Sequence, residues 1–366
     1  MELLIHVEDP GAANMLAGVP AALTSKGVSH LIIAEGFACA RLADMGIPYA
    51  PPDGDAFGLI ERIRPSAVVA GAAEAPRSLG LKLIESARSR GLPTAGLVDG
   101  PSNPDHRFRG TGRDPLGYAP DRLLVPDEAT ATLFFDLGVR KDAISVTGHP
   151  HFDAVHDARA GLEAEGQSAV RARVFPNLAP TRRLLLFAAE ISDGHDTAQF
   201  RRGDAYTLAG RGGGDARTDI VLEEVLDAVA GIEPRPFVGI RLHPKNTTDE
   251  FASYAEEIDA FSTGGLPLEA LFAADWVVGM TSMVMWEAAL LGRPTLAVIP
   301  RQVEKSWLSA IGLGVVPAAT TTAEIQAMLL DLVSGDLRGR DAADVVSFGA
   351  ARRIADALAG YASWID

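Results

Sequence analysis

Short apolar runs alternate with longer segments of helical periodicity along the whole chain. In the first half the apolar runs predict six strands, Leu3–Val7, His30–Ala34, Ala67–Ala70, Thr94–Val98, Arg122–Val125 and Ile144–Val146. The intervening segments have helical spacing and several end at glycine, as Asn14–Lys26 does before Gly27. Strands separated by helices predict parallel β-α-β units with right-handed crossovers.

The same alternation restarts in the second half, after an interruption. Four strands are predicted there, at Leu184–Ala188, Phe237–Leu242, Trp276–Val278 and Thr295–Ile299. The interrupting segment, residues 157–181, is rich in Ala, Glu and Arg and has no strand signal, which indicates a helical linker. We therefore predict an N-terminal domain (1–156), a linker (157–181), a C-terminal domain (182–345) and, by analogy with two-lobed folds, a final helix (346–366) that packs back on the N-terminal domain.

The length and the net charge of the chain limit the classes of function that it can have. A chain of 366 residues is long enough for two hydrophobic cores. Its net charge of −15 argues against a nucleic-acid binder and against docking on anionic lipid, so an anionic ligand must meet a local basic cluster. Cys39 is the one cysteine, which excludes an internal disulfide and a cysteine zinc site.

Targeting signals are missing from the sequence. The chain starts on a strand rather than a signal peptide, and no apolar stretch is long enough to span a bilayer. We predict a soluble, cytoplasmic protein that is not an integral membrane protein.

Polar and small residues follow the first predicted strand, in Glu8–Asn14. Because ligands of open α/β sheets bind beyond the carboxyl ends of the strands, Asp9, Gly11 and Asn14 are candidates for a site there. Small residues at a helix N-terminus admit an anionic group. The alternative is a tight turn in which Asp9 caps the helix.

A second acidic residue, Asp99, follows the strand predicted at Thr94–Val98. It is a candidate general base toward an acceptor hydroxyl, as Asp9 is, and an Asp-Gly turn is the equally weighted alternative. The polar segment after it contributes His106 and Arg107 to a predicted acceptor site.

Three basic residues, Arg241, His243 and Lys245, end a strand of the second half. In an acidic chain this cluster predicts a phosphate or diphosphate site, with His243 donating a hydrogen bond and Lys245 adding a point charge. The alternative is a solvated strand end.

A strand, a small-residue turn and a helix follow at Trp276–Leu291. The turn supplies Gly279, Thr281 and Ser282, whose amides and hydroxyls would form a phosphate cradle, and Glu287 would accept hydrogen bonds from ribose hydroxyls. In the alternative, Ser282 only caps the helix and Glu287 is exposed.

The sequence motifs of several enzyme classes are absent. The sequence contains neither a Walker A motif, nor a nucleophile elbow, nor a zincin motif. The histidines of Thr147–His156 match no standard metal spacing, so we predict no metal and no cofactor. The arginine-rich polar segment Ile191–Thr218 is long enough to predict a functional or disordered loop.

Motifs of the second half resemble bacterial GT-B glycosyltransferases. The His243-Pro244 pair and the turn bearing Ser282 resemble sialyltransferases, polysialyltransferases and teichoic-acid glycerophosphotransferases, whose acidic motif is matched only loosely here. Val146–Asp153 also resembles a Val-Thr-Gly-Asn segment of UDP-GlcNAc 2-epimerases, with His149 in place of Asn. The resemblance implies an α/β GT-B fold, in which two Rossmann-like domains with parallel sheets face a central cleft.

The function implied by this resemblance is a metal-independent glycosyltransferase of bacterial surface-polysaccharide synthesis. It would take a CMP-, CDP- or UDP-linked sugar on the C-terminal domain and a saccharide acceptor on the N-terminal domain, with Asp9 or Asp99 as base. A nucleotide-sugar 2-epimerase or hydrolase on the same fold, which needs no acceptor, is one alternative. A non-catalytic nucleotide-sugar-binding protein is another.

Overall fold

A computed structural model describes residues 2–191, 197–264 and 267–360. The chain divides into two compact units, one made of the described residues of Met1–Ala154 and Ser347–Asp366, the other of Val155–Val346. Each unit contains a six-stranded, wholly parallel sheet with helices, which confirms the predicted fold class of two Rossmann-like α/β halves.

The first unit builds its sheet from residues of the first 146 positions. Its strands are β1 (Glu2–Val7), β2 (Ser29–Ala34), β3 (Ala67–Gly71), β4 (Thr94–Leu97), β5 (Arg122–Val125) and β6 (Ile144–Val146), in the order β2-β1-β3-β4-β5-β6. Its helices up to this point are α1 (Pro10–Asn14), α2 (Val19–Ser25), α3 (Ala38–Asp44), α4 (Ala56–Ile63), α5 (Leu79–Arg88) and α6 (Glu128–Asp136), with a 3₁₀ turn at Lys141–Ala143.

The single helix predicted at Asn14–Lys26 is wrong in its bounds, because the structure forms two helices there. Gly18 has φ 71°, a left-handed conformation that interrupts the helix and separates α1 from α2. Helix α1 therefore begins as early as Pro10, at the end of β1, and is only one turn long.

The second unit has two more strands than the sequence pattern predicts. Its strands are β7 (Leu184–Ala188), β8 (Phe237–Arg241), β9 (Ala260–Ser262), β10 (Trp276–Gly279), β11 (Thr295–Val298) and β12 (Ala318–Ala319), in the order β12-β11-β10-β7-β8-β9. The unpredicted β9 and β12 are three and two residues long, too short to show a periodicity. Both lie at the edges of the sheet.

Helices account for most of the remaining second unit. They are α7 (Pro150–Glu165), which contains the sequence boundary between the units, α8 (Gln167–Val174), α9 (Thr197–Phe200), α10 (Arg217–Ala230), α11 (Leu268–Ala273), α12 (Val284–Leu290), α13 (Ser309–Gly312) and α14 (Thr322–Ser334), with 3₁₀ segments at Thr248–Tyr254, Gln302–Trp307 and Ala342–Asp344. The segment 157–181 thus contains α7 residues and α8, and α8 packs against α11.

The chain returns to the first unit through α15 (Ala350–Ala359), which packs on α2. Asp153 accepts hydrogen bonds from the Gly349 and Ala350 amides, at 2.7 and 2.9 Å, and so caps the new helix. Ile354 and Leu358 then join the buried core around β1. Among the described residues, no helix combines the length and apolar character needed to cross a bilayer.

Candidate functional site

The carboxyl ends of the central strands define one candidate position in each unit. In the first sheet β1 lies between β2 and β3, and in the second β7 lies between β8 and β10, so the chain order reverses beside each of these strands. Such a switch point leaves a crevice in which open α/β sheets bind ligands. The residues that follow β1 and β7 therefore lie at the candidate ligand-binding position of each unit.

In the second unit the turn after β10 wraps around a carboxylate that the sequence did not point to. One oxygen of Glu190, Oε1, accepts hydrogen bonds from the backbone amides of Thr281 (2.5 Å) and Ser282 (2.6 Å). Its other oxygen, Oε2, accepts from the Thr281 hydroxyl at 3.2 Å and from Nη1 of Arg217 at 2.7 Å. Two amides, a hydroxyl and a guanidinium thus converge on one oxyanion.

The amides and the hydroxyl that we predicted to hold a phosphate thus surround the protein's own Glu190 carboxylate. Glu190 reaches this position because it follows β7 by two residues and β7 pairs directly with β10. Gly279, at the end of β10, allows the turn to pack closely, since a Cβ there would lie 2.7 Å from the Met285 sulfur. Ser282 also caps locally, because its Oγ accepts from the Val284 amide at 3.3 Å.

The buried Arg217 links Glu190 to a second carboxylate, Glu304. It is 1 % exposed at the start of α10, and its Nε donates to Glu304 Oε2 at 2.8 Å. Glu304 is completely buried and also accepts from Arg301. A buried guanidinium shared by two carboxylates fixes the position of Glu190 against the turn.

The three basic residues at the end of β8 diverge rather than converge. Arg241 is buried and donates to Ser262 Oγ on β9 at 3.1 Å, whereas Lys245 is exposed. His243 lies between them, and its Nδ1 accepts from the Lys245 amide at 3.1 Å. The Glu190 carboxylate is near enough to His243 to act on the ionisation of its imidazole.

The protonation of His243 is set by its surroundings. Burial and the adjacent Lys245 charge lower the pKa of His243 to about 4, against the smaller opposing effects of Glu190 and Glu250. The imidazole is therefore neutral at pH 7 and, with Nδ1 accepting, carries its proton on Nε2. It is placed to donate one hydrogen bond to a ligand.

This lowered pKa makes stability depend on pH. An unfolded histidine titrates near about 6.5, so between that pH and about 4 the unfolded chain binds a proton that native His243 does not. We expect the free energy of unfolding to fall as the pH is lowered through this window, and to fall less in His243→Asn. Urea denaturation of both proteins at pH 7 and pH 5 measures the difference, and equal losses would contradict the assignment.

Glu287, predicted to hold ribose, lies on α12 and is 3 % exposed rather than on a solvated face. Its burial rules out the alternative in which it is a surface residue.

The predicted polar loop Ile191–Thr218 is outside the described residues at 192–196, and beyond them it contains α9 and an antiparallel bridge between Arg201 and Ala216.

In the first unit Asp99 and Gly11 meet directly. A Cβ on Gly11 would lie 1.7 Å from Asp99 Oδ2, so only glycine leaves room for the carboxylate at the start of α1. Asp99 Oδ1 lies 3.2 Å from Nη1 of the buried Arg107, which also donates to the Ser102 carbonyl at 3.1 Å. The charge of Asp9 also acts on Arg107. The structure thus brings Asp9, Gly11, Asp99 and Arg107 together.

This contact predicts that any side chain at position 11 destabilises the protein. Gly11→Ala is expected to push the Asp99 carboxylate away from Arg107 and to lower the free energy of unfolding by about 1–3 kcal/mol. Gly100→Ala is the matched control, since no atom lies within 4 Å of a Cβ there. Thermal unfolding of the two variants checks the prediction, which fails if both behave alike.

The other residues predicted on the acceptor side have partners outside this group. Asn14 is buried at the end of α1, where its Oδ1 accepts from Nε of Arg41 at 2.5 Å. Arg41 in turn approaches His151 Nε2 at 3.2 Å. His106 pairs with its neighbour Asp105, 3.4 Å away. Asp9 begins α1 as its N-cap residue, without a side-chain capping bond.

Glu190, Arg217 and Glu304 were missed by the sequence analysis. The signal for Glu190 was present, because it follows a strand as Asp9 and Asp99 do, in a position where ligands of α/β folds bind. Arg217 appeared only as one arginine of the polar segment, and Glu304 had no signal, since its partner is 87 residues away.

Comparisons with known proteins rest on structure alone. No protein-family model matches the chain, and a search of curated proteins finds no match. Among solved structures, the UDP-GlcNAc 2-epimerase of Neisseria meningitidis bound to UDP-GlcNAc has a TM-score of 0.70 at 14 % identity, covering 98 % of this chain and 100 % of that one.

Two further structures give the same result. The Methanocaldococcus jannaschii UDP-GlcNAc 2-epimerase in complex with UDP-GlcNAc and UDP has a TM-score of 0.67 at 13 % identity, over 98 % of this chain and 99 % of that one. Anabaena HepE in complex with UDP and glucose has a TM-score of 0.59 at 14 % identity, over 100 % and 97 %. The chain therefore has the GT-B fold that these UDP-GlcNAc 2-epimerases share.

Proposed function

We propose that this protein is an enzyme that binds a nucleotide-linked sugar and transforms that sugar without an external acceptor, as an epimerase or hydrolase does. The fold it shares with UDP-GlcNAc 2-epimerases, two of them with UDP-GlcNAc bound, supports this proposal over a transferase. UDP-linked N-acetylhexosamines are accordingly the first substrates to test.

The observation that carries the proposal is the set of donors around Glu190. A phosphate group needs the same partners that this carboxylate has, namely two backbone amides, a hydroxyl and a guanidinium. In the proposed complex the ligand phosphate replaces the Glu190 carboxylate at the amides of Thr281 and Ser282. Neutral His243 then donates to a phosphate oxygen and stabilises the departing nucleotide.

Asp9 and Asp99 stay candidate acid or base groups in this proposal. Asp99 is held by Arg107 and Gly11, and Asp9 lies at the end of the central strand β1. A positioned carboxylate of this kind can remove a proton from a sugar carbon or hydroxyl. The same two aspartates fit the second candidate, a glycosyltransferase, in which one of them deprotonates an acceptor hydroxyl.

The deciding experiment is incubation with UDP-GlcNAc alone, followed by proton and phosphorus NMR. We expect a new UDP-sugar, or UDP with free sugar, to accumulate with the wild type, and His243→Ala to lose this turnover. Turnover that requires an added saccharide would instead identify a glycosyltransferase. Binding of UDP without turnover under any of these conditions would identify a non-catalytic binding protein.

A further inference from the structure

A mixed cluster of one histidine and two carboxylates lies at the carboxyl ends of β1 and β2, and the proposed function does not use it. The cluster consists of His6, Glu8 and Glu35. One potential ligand atom from each residue lies within 4.8 Å of the other two. His6 is completely buried, whereas Glu8 and Glu35 are partly exposed.

The strand pairing explains why these three residues meet. His6 and Glu8 are two positions apart, so their side chains leave the same face of β1. β1 and β2 are parallel, with Val7 opposite Ala34, and Glu35 follows β2 at the level of Glu8. The Glu35 amide continues this pairing by donating to the Val7 carbonyl at 3.2 Å.

The hydrogen bonding of His6 is incomplete. Its Nε2 lies 3.1 Å from Glu35 Oε1, while its Nδ1 is buried without a hydrogen-bond partner among the described residues. When Nε2–H donates to Glu35, the lone pair of Nδ1 lacks any donor. A buried polar atom without a partner is rare, so the described residues leave the hydrogen-bonding capacity of His6 incompletely used.

A glycine lies beside the unpaired nitrogen, and a serine near it holds Glu8. A Cβ on Gly80 would lie 3.1 Å from His6 Nδ1 and 3.2 Å from Ser78 Oγ, so glycine keeps the space between these atoms open. Ser78 Oγ donates to Glu8 Oε2 at 2.8 Å and fixes that carboxylate. The nearby charges of Asp9 and Glu35 add to the negative potential at Glu8.

We propose that His6, Glu8 and Glu35 bind a divalent transition-metal ion, which takes the place of the proton between His6 Nε2 and Glu35 Oε1. The donor set of one imidazole and two carboxylates favours ions such as Mn²⁺, Co²⁺ or Zn²⁺ over Mg²⁺ and Ca²⁺, which prefer oxygen ligands alone. Ser78 orients one ligand from outside the coordination sphere. Three protein ligands leave the remaining positions to water or to an oxygen of a bound molecule.

The test is titration of the metal-free protein with Co²⁺ alone, followed by its visible absorption and by equilibrium dialysis. We expect one equivalent to bind, and Glu35→Gln to weaken binding at least about tenfold. Glu35 is the variant of choice because its side chain is 38 % exposed, so its replacement leaves the core intact, whereas His6 is wholly buried.

The matched control is His30→Gln on β2, a partly buried histidine whose Nδ1 lies 3.3 Å from the Val28 carbonyl. It is expected to bind Co²⁺ as the wild type does. Absence of Co²⁺ binding by the wild type, or equal binding by the wild type and Glu35→Gln, would overturn the proposal. Because the readout is metal binding, its result is independent of turnover of any nucleotide sugar.

Discussion

Replacement of Arg217 by methionine is expected to lower the free energy of unfolding of the second unit by about 3–5 kcal/mol. The guanidinium is almost fully buried and serves both Glu190 and the completely buried Glu304. Its removal leaves two carboxylates without their common cation in a medium that solvates charge poorly. For a unit of this size the melting temperature should fall by about 10 °C, as measured by calorimetry.

Two control variants distinguish the loss of the buried Arg217 network from the loss of an arginine elsewhere. Arg211→Met removes a more exposed guanidinium that pairs with Asp227 and Glu257, and should cost no more than about 1 kcal/mol. The double variant Arg217→Met/Glu304→Met should recover part of the loss, because it removes one stranded carboxylate as well. A loss for Arg217→Met no larger than that for Arg211→Met would refute the buried network.

Replacement of Glu190 by glutamine is expected to tighten the binding of UDP about tenfold. If the carboxylate occupies the phosphate position, a nucleotide must displace its hydrogen bonds to Thr281 and Ser282. Hydrogen bonds to an ionised acceptor are roughly twice as strong as neutral ones, so a glutamine oxygen competes less well. A tenfold change in affinity corresponds to about 1.4 kcal/mol. This is less than the free energy expected to be lost when two hydrogen bonds change from an ionised to a neutral acceptor.

Isothermal titration of wild type, Glu190→Gln and Glu165→Gln with UDP provides the measurement. Glu165 is the control, because it is a partly exposed carboxylate paired with Arg173 and has no contact with the turn. It should leave the affinity unchanged. Unchanged or weaker UDP binding in Glu190→Gln would show that the carboxylate does not lie where the phosphate binds.

The amino-acid sequence by itself determined the architecture of each half. Buried parallel strands must be apolar throughout, as β3 and β7 are, and the helices between them need an apolar stripe. These local requirements leave a periodic signal, which sufficed for ten of the twelve strands. It also predicts ligand-binding positions at strand ends, because the polarity of a parallel sheet brings those ends to one edge.

Only the tertiary structure decided which of these residues act together. Arg241, His243 and Lys245 are neighbours in sequence, yet Arg241 is buried against β9, Lys245 is exposed, and His243 is partly buried with its Nδ1 on the Lys245 amide. Alternation along a strand and the turn after it send adjacent side chains in different directions.

The pairs that matter most are distant in the chain, and no local pattern records them. Glu190 meets Thr281 across β7 and β10, Arg217 meets Glu304, and His6 meets Glu35 across β1 and β2. Each pair depends on strand order and register, which are fixed by the packing of the whole sheet. The sequence therefore predicted the sheet edges as ligand-binding positions, and the fold determined that the Glu190 carboxylate lies against the turn at one of them.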